Sequence, residues 1–178
     1  MHATICDCFT DAVQNAIEAG ATQIEAAIIE DGETVKISIK DNGKGMNTDV
    51  LKRVWDPFYT EPGKHAGRRV GLGLPLLRQM AEAAGGTVAI DSQSGRGTAL
   101  MCSFAADHFD TPPLGDMAGT AMILMNTDGA FELCLTHRRG LNTYTVCRSE
   151  LQEALGDLQD VANLVWMRNF FKDLESDL

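Results

Sequence analysis

Residues Val35 to Met46 read VKISIKDNGKGM. The first half alternates: Val35, Ile37 and Ile39 are apolar, while Lys36, Ser38 and Lys40 are polar. That is the period of a strand with one face in a core. Counting on by two places Asp41 on the inward face. A strand that ends with a carboxylate aimed at its own core needs a partner for it, because an unpaired buried carboxylate is costly. Two partners fit the sequence. Asp41 caps the turn that follows, or it accepts hydrogen bonds from a ligand such as the exocyclic amine of a purine. Gly43 and Gly45, directly behind it, let the backbone come close to a flat ring.

Elements follow outward from this strand. Phe9, Ala12, Val13, Ala16 and Ile17 form a helical stripe that predicts a helix over 7–19, with Gly20 as its stop. Runs 22–30 and 33–40 read as strands joined by the hairpin signal Asp31-Gly32. A short helix over 47–54 ends at Trp55-Asp56-Pro57. Residues 59–70 read as a polar loop. Gly71-Leu72-Gly73-Leu74 opens a helix that runs to Ala84. Runs 87–91 and 98–104 read as strands around a Ser-Gly-Arg-Gly turn, and 107–115 as a linker. Beyond it, 121–125, 131–136 and 142–148 read as three short strands. A helix starts at Ser149 on the capping pattern with Gln152, and a last one covers 160–174.

Composition narrows the function. The chain has 178 residues, a formal net charge of -10, 44% hydrophobic and 22% charged residues, and five cysteines. These are values of an ordinary soluble chain. The acidic balance argues against a duplex nucleic-acid surface and against docking on anionic lipid. No apolar run is long enough to span a membrane, and the start MHATICDCFTD shows no secretory signal. The few cysteines read as reduced thiols of a cytoplasmic protein. Cys6-Asp7-Cys8 supplies only half of a tetrahedral metal site.

Two more stretches carry chemistry. Asp7, Asp11, Asn15 and Glu18 are spaced four, four and three, so they share a helix face. Such a row is a solvated face, or it is an oxygen wall for a hard cation. Magnesium needs few protein ligands, and one Asn carbonyl with a carboxylate a turn away would serve. Gly71-Leu72-Gly73-Leu74 at a helix start offers free N–H groups and the positive end of the helix dipole, an anion site. Lys64, Arg68 and Arg69 lie in the loop before it.

In order, the chain shows D-x-x-x-N on a helix, D-N-G-x-G-M after a strand, W-D-P-F, G-L-G-L before a helix, and G-G-T-V-A-I-D-S-x-S-G-x-G-T. This order resembles the GHKL (Bergerat-fold) ATPase superfamily and, within it, the ATP-binding domain of histidine kinases, over about 6–104. The resemblance implies an α/β (α+β) two-layer sandwich, a mixed β-sheet covered by helices on one face. It implies a histidine kinase-like ATPase domain over 1–106, with 107–178 as a small α+β extension. It implies ATP and Mg2+ as cofactors. By residue, it implies that Asn15 holds the magnesium and Asp41 accepts from the adenine amine. Gly43, Gly45 and Met46 line the base slot, Phe58 anchors the lid, and Lys64 and Arg68 reach the phosphates. Amides around Gly71, Leu72, Gly73 and Leu74 meet the phosphates, and Thr98 sits near the adenine. Asp11 stands where hydrolytic members carry a Glu base.

Some positions depart from the pattern. Glu18 and Glu61-Pro62 stand where histidine kinases often have lysines, which removes positive charge near the phosphates. None of the four histidines lies in an acceptor box, so a phosphoacceptor domain is expected to be absent. The expectation is therefore a stand-alone ATP-binding module with slow hydrolysis and a regulatory role. The alternatives are a kinase acting in trans on His or Ser/Thr, or a non-catalytic ATP sensor. A protein partner or homodimer is expected to use the extension.

Overall fold

The computed structural model describes residues 4–57 and 73–178. Helix α1 (Ile5–Glu18) starts at a reciprocal cap, in which Thr4 Oγ1 accepts from Asp7 N–H and the Asp7 carboxylate accepts from Thr4 N–H. This satisfies two amides that a helix start leaves open. The stripe seen in the sequence is its buried side, with Phe9, Ala12, Val13 and Ala16 in the core.

Strands β1 (Gln23–Glu30) and β2 (Thr34–Asp41) follow as an antiparallel hairpin, with Ile24 opposite Asp41. After α2 (Thr48–Arg53) and α3 (Gly73–Ala83) come β3 (Thr87–Gln93) and β4 (Gly97–Ala105). Then follow α4 (Met117–Met125), β5 (Glu132–Arg139), β6 (Asn142–Cys147), α5 (Arg148–Leu155) and α6 (Val161–Ser176). The six strands form one sheet in the order β3-β4-β2-β1-β5-β6, antiparallel throughout except for the parallel pair β1–β5.

The sheet is mixed, and one face is buried. Ile24, Ala26, Ile28, Val35, Ile37, Ile39, Leu100, Cys102, Phe104, Leu133 and Leu135 alternate inward and join α1, α3, α4 and α6 in one apolar cluster. The opposite face carries exposed Glu25, Lys36, Lys40, Met101 and Thr145. This is the two-layer sandwich that the resemblance implied.

Three readings of residues 107–178 need correction. Residues 121–125 are not a strand but the end of α4. The run MAGTAMILM is apolar on every side, so it has no period to tell helix from strand. Asp116 decides it by accepting from Gly119 N–H, an N-cap. The helix read from Ser149 starts at Arg148 with Cys147 as its cap, and Glu150, not Gln152, accepts from Cys147 N–H. The thiols are not all reduced, because Cys134 and Cys147 are a cross-strand pair of β5 and β6 and are joined by a disulfide.

Two polar devices hold these elements. Arg148 is buried, and its guanidinium donates to the carbonyls of Met125, Thr127, Gly129 and Phe131 at 2.9–3.1 Å. It thereby fixes the turn between α4 and β5. His137, fully buried, has Nε2 3.0 Å from Glu30 Oε1 and Nδ1 2.8 Å from Glu175 Oε1. Tyr144 donates to the same Glu175 oxygen at 2.5 Å, and Arg139 to Glu30 at 2.8 Å. This cluster fastens α6 to β1, β5 and β6.

Candidate functional site

Helix α1 meets two groups of side chains at different heights. At mid-helix, half-buried Asp11 and exposed Asn15 stand one turn apart and face the start of α3. A Cβ placed on Gly73 would lie 3.9 Å from Asn15 Nδ2 and 3.9 Å from Asp11 Oδ2. With Cys8, Ala12, Leu74 and Leu77 these residues line a small cleft. The first amides of α3 have no partners within the helix, and its dipole is positive there. A helix end that prefers anions thus adjoins a carboxamide and a carboxylate, a donor set that suits a hard cation.

Cys8, read in the sequence only as half of a metal site, lines this cleft. Burial, then the charges of Asp7 and Asp11, push its thiol up to about 12. Burial also raises Cys6 to about 11. The two point apart, Cys6 Sγ toward Met117 Sδ at 3.9 Å and Cys8 Sγ toward Met80 Sδ at 4.0 Å. They do not make a metal pair.

The second group lies at the C-terminal end of α1. Ser92, Thr98 and Asp41 are register partners across β3, β4 and β2, so they form a polar row on the buried face. Asp41 Oδ1 accepts from Gly43 N–H at 2.8 Å. Burial raises the Asp41 carboxyl above the usual aspartate range, against the opposing pull of the Gly43 and Thr98 amides. A carboxylate has about four lone-pair sites, so these two donors leave acceptor capacity.

The loop after Asp41 is fixed on both sides. Asn42 Oδ1 accepts from Thr22 N–H at 2.8 Å and Gln23 N–H at 2.9 Å, and its Nδ2 donates to Thr22 Oγ1 at 2.9 Å. Lys44 N–H donates to Ala19 O at 2.9 Å, and Gly95 N–H to Lys44 O at 2.7 Å. Met46 N–H donates to Ser92 Oγ at 2.9 Å. Gly43 has no room for a side chain, since its Cβ would sit 2.9 Å from Ala19 O. Gly45, at φ +60°, would put a Cβ 2.0 Å from Gln93 O. The two glycines therefore let the loop wedge between α1 and the β3–β4 turn. Asn15 precedes Ala19 by four residues, so the two groups are about 6 Å apart along the helix axis.

Of the residues singled out by sequence, Asp11, Asn15, Gly73 and Leu74 come together in the first group. Asp41, Gly43, Gly45, Met46 and Thr98 come together in the second. Phe58, Lys64, Arg68, Gly71 and Leu72 lie outside the described residues. Ser92 and Asn42 were not assigned roles by sequence. The signal for Ser92 was the β3–β4 register, which becomes countable only once the turn is known to span Ser94 to Arg96.

The family profile described as "Histidine kinase-, DNA gyrase B-, and HSP90-like ATPase" matches residues 3–108. The sensor histidine kinase YxdK of Bacillus subtilis (strain 168) is 33% identical over 96 residues, covering 52% of this chain and 30% of that protein. Sporulation kinase A of the same organism is 34% identical over 99 residues, covering 54% of this chain and 16% of that protein. The chain thus spans less than a third of either relative. A solved N-terminal domain of a DNA repair protein superposes with a TM-score of 0.58 at 13% identity, over 87% of this chain and 57% of that one. This last likeness is one of fold, and it reaches beyond the span of the family match.

Proposed function

The chain belongs to the histidine kinase-, DNA gyrase B- and HSP90-like ATPase family, and from that premise we propose that it binds ATP with Mg2+ and hydrolyses it slowly in a regulatory or accessory role. Asp41 accepts from the adenine amine, with Gly43, Gly45 and Met46 lining the base slot and Thr98 beside it. Asn15 holds the magnesium through its carbonyl, and Asp11 orders or deprotonates a water next to it. The amides at Gly73 and Leu74, with those at Gly71 and Leu72, receive the phosphates. By the family likeness, Phe58 is assigned to the lid and Lys64 and Arg68 to the phosphates. Bound magnesium supplies charge neutralisation at the phosphates.

The observation that carries this reading is Asp41. Half-buried at the end of a core strand, its carboxylate accepts from Gly43 N–H and keeps acceptor capacity for a further donor. The exocyclic amine of a purine supplies such a donor.

The protein docks a protein partner or a second copy through residues 107–178. Exposed Ile123 of α4 and Val161, Val165 and Trp166 of α6 support that docking. A second reading, phosphoryl transfer to a histidine or Ser/Thr of a partner, is favoured by the kinase names of the relatives. Incubation with magnesium and ATP labelled on the γ-phosphate separates them. Released phosphate is expected, and label on an added partner would favour the second reading. Absence of any calorimetric heat with ATP on folded protein would overturn both.

A further inference from the structure

Beyond the family-matched span, the outer face of β5 and β6 brings two sulfurs and a carboxylate together. Glu132 and Cys134 are two apart on β5 and share that face, and Cys147 of β6 stands directly opposite Cys134. Glu132 Oε1 lies 3.9 Å from Cys134 Sγ, and the same oxygen accepts from Ser149 N–H of α5 at 3.2 Å. All three side chains are half-buried, and their ligand atoms lie within 4.8 Å of one another.

A thiolate, not a disulfide sulfur, is the metal ligand, and the fold keeps these two sulfurs together once their bond is open. The Cα atoms of Cys134 and Cys147 are 4.1 Å apart, the narrow spacing of a pair that exchanges no backbone hydrogen bonds. That pair ends a ladder that runs to Arg139 and Asn142, and beside it the Thr136 and Thr145 hydroxyls are 2.8 Å apart. The His137 cluster pins the same two strands from the other face. Reduction therefore frees two thiols without parting the strands. Side-chain rotation then opens the sulfurs to about 3.8 Å, the edge of a tetrahedron with zinc–sulfur bonds of about 2.3 Å.

The donor set selects the ion. Two thiolates with one carboxylate suit Zn2+, whereas Mg2+ and Ca2+ take oxygen ligands. Cys147 is the N-cap of α5, where the helix dipole favours an anionic sulfur. Ser149 N–H orients the carboxylate, as outer hydrogen bonds do at metal sites. Cys6, Cys8 and Cys102 are buried, and burial pushes their thiols up, to about 11, 12 and 12, so they hold their protons.

We propose that Cys134, Cys147 and Glu132 form a redox-gated zinc site, closed in the disulfide state and opened by a dithiol reductant. The dithiol passes two electrons and two protons to the S–S bond. That bond breaks, two thiols form, and the reductant leaves as its own disulfide. Zn2+ then displaces one proton from each thiol, forms two Zn–S bonds and one Zn–O bond to Glu132, and keeps a water in the fourth position. No electron moves in this second step. Either state ties β5 to β6, through a covalent bond or through the ion.

The test uses the full chain, oxidised or reduced with a dithiol and desalted under nitrogen. Zn2+ is titrated by calorimetry, and Co2+ serves as a second probe whose charge-transfer absorption reports thiolate ligands. The reduced chain is expected to bind one Zn2+ at least about 100-fold more tightly than the oxidised chain, because two of the three ligands exist only after reduction. Cys147→Ser is expected to abolish the Co2+ thiolate band. Glu132→Gln keeps both sulfurs and is expected to weaken Zn2+ binding by about tenfold or more. Equal Zn2+ affinity in the two redox states would overturn the proposal, as would loss of the fold on reduction, read by circular dichroism. A thiolate band that survives Cys147→Ser places the ion on other cysteines and is equally fatal. If Cys147→Ser does not fold, Glu132→Gln decides, and an unchanged affinity there rejects the site.

Discussion

A single aspartate sets the character of the site. Desolvation holds the Asp41 carboxyl above its ordinary range, so the folded state favours the protonated form more than the unfolded chain does. The contribution to stability is present at acid pH, below the unfolded aspartate value. It is lost as pH rises through the raised folded value. At neutral pH the charged group is a liability for the free protein. Asp41→Asn is therefore expected to hold or raise the melting temperature at pH 7 while ATP binding falls by about 10- to 100-fold, the effect of losing hydrogen bonds to a charged group. Asn15→Ala is expected to weaken magnesium-dependent ATP binding and to leave adenosine binding nearly unchanged, read by titration with and without the metal. Asp41 was legible because strand period alone fixes the face. Ser92 was not, since its partners Thr98 and Met46 emerge only once the register of β3 with β4 is known.

At the scale of elements, legibility followed periodicity. α1, β1 and β2 appeared in the sequence within two residues of their observed ends because their apolar positions repeat on one face. α4 did not, because it is apolar on all sides, and its type is decided by the Asp116 cap and by burial against α6. The Cys134–Cys147 pair was equally hidden. Thirteen positions of sequence separation say nothing of a cross-strand register until the hairpin is known. The turn between α4 and β5 depends on Arg148, whose donors meet four carbonyls. Arg148→Met keeps much of the volume and removes every donor. It is expected to cost roughly 3 kcal/mol or more, since several sheltered carbonyls lose their partners together. A fall in the urea midpoint at unchanged slope would register this.

Across the whole molecule, β5 joins the segment after residue 107 to the strand that follows the first helix, and the His137 cluster closes the same seam. Glu175 is raised by burial, but hydrogen bonds from His137 and Tyr144 outweigh this and hold it below the ordinary glutamate value. A depressed carboxyl stabilises the fold above its unfolded pKa, and that stabilisation disappears as pH falls through the folded value. α6 is therefore expected to loosen in acid, below the ordinary glutamate range, before the sheet melts. Hydrogen exchange along 161–176 as a function of pH would report it. His137→Ala should loosen α6 already at neutral pH, because Glu30 and Glu175 are left half-buried without the group between them.

The parallel pairing of β1 with β5 has a consequence for how the chain is made. Residue 23 leaves the ribosome more than a hundred positions ahead of its neighbour at 132. At roughly 5–20 residues per second, one flank of the nascent hairpin waits for several seconds with its amides and carbonyls unmatched. During that interval it is a template for pairing with other chains, and a polypeptide cut at 108 would keep that flank open for good. Such a fragment, although it holds the whole of the family-matched span, is expected to precipitate or to recruit chaperones where the intact protein does not.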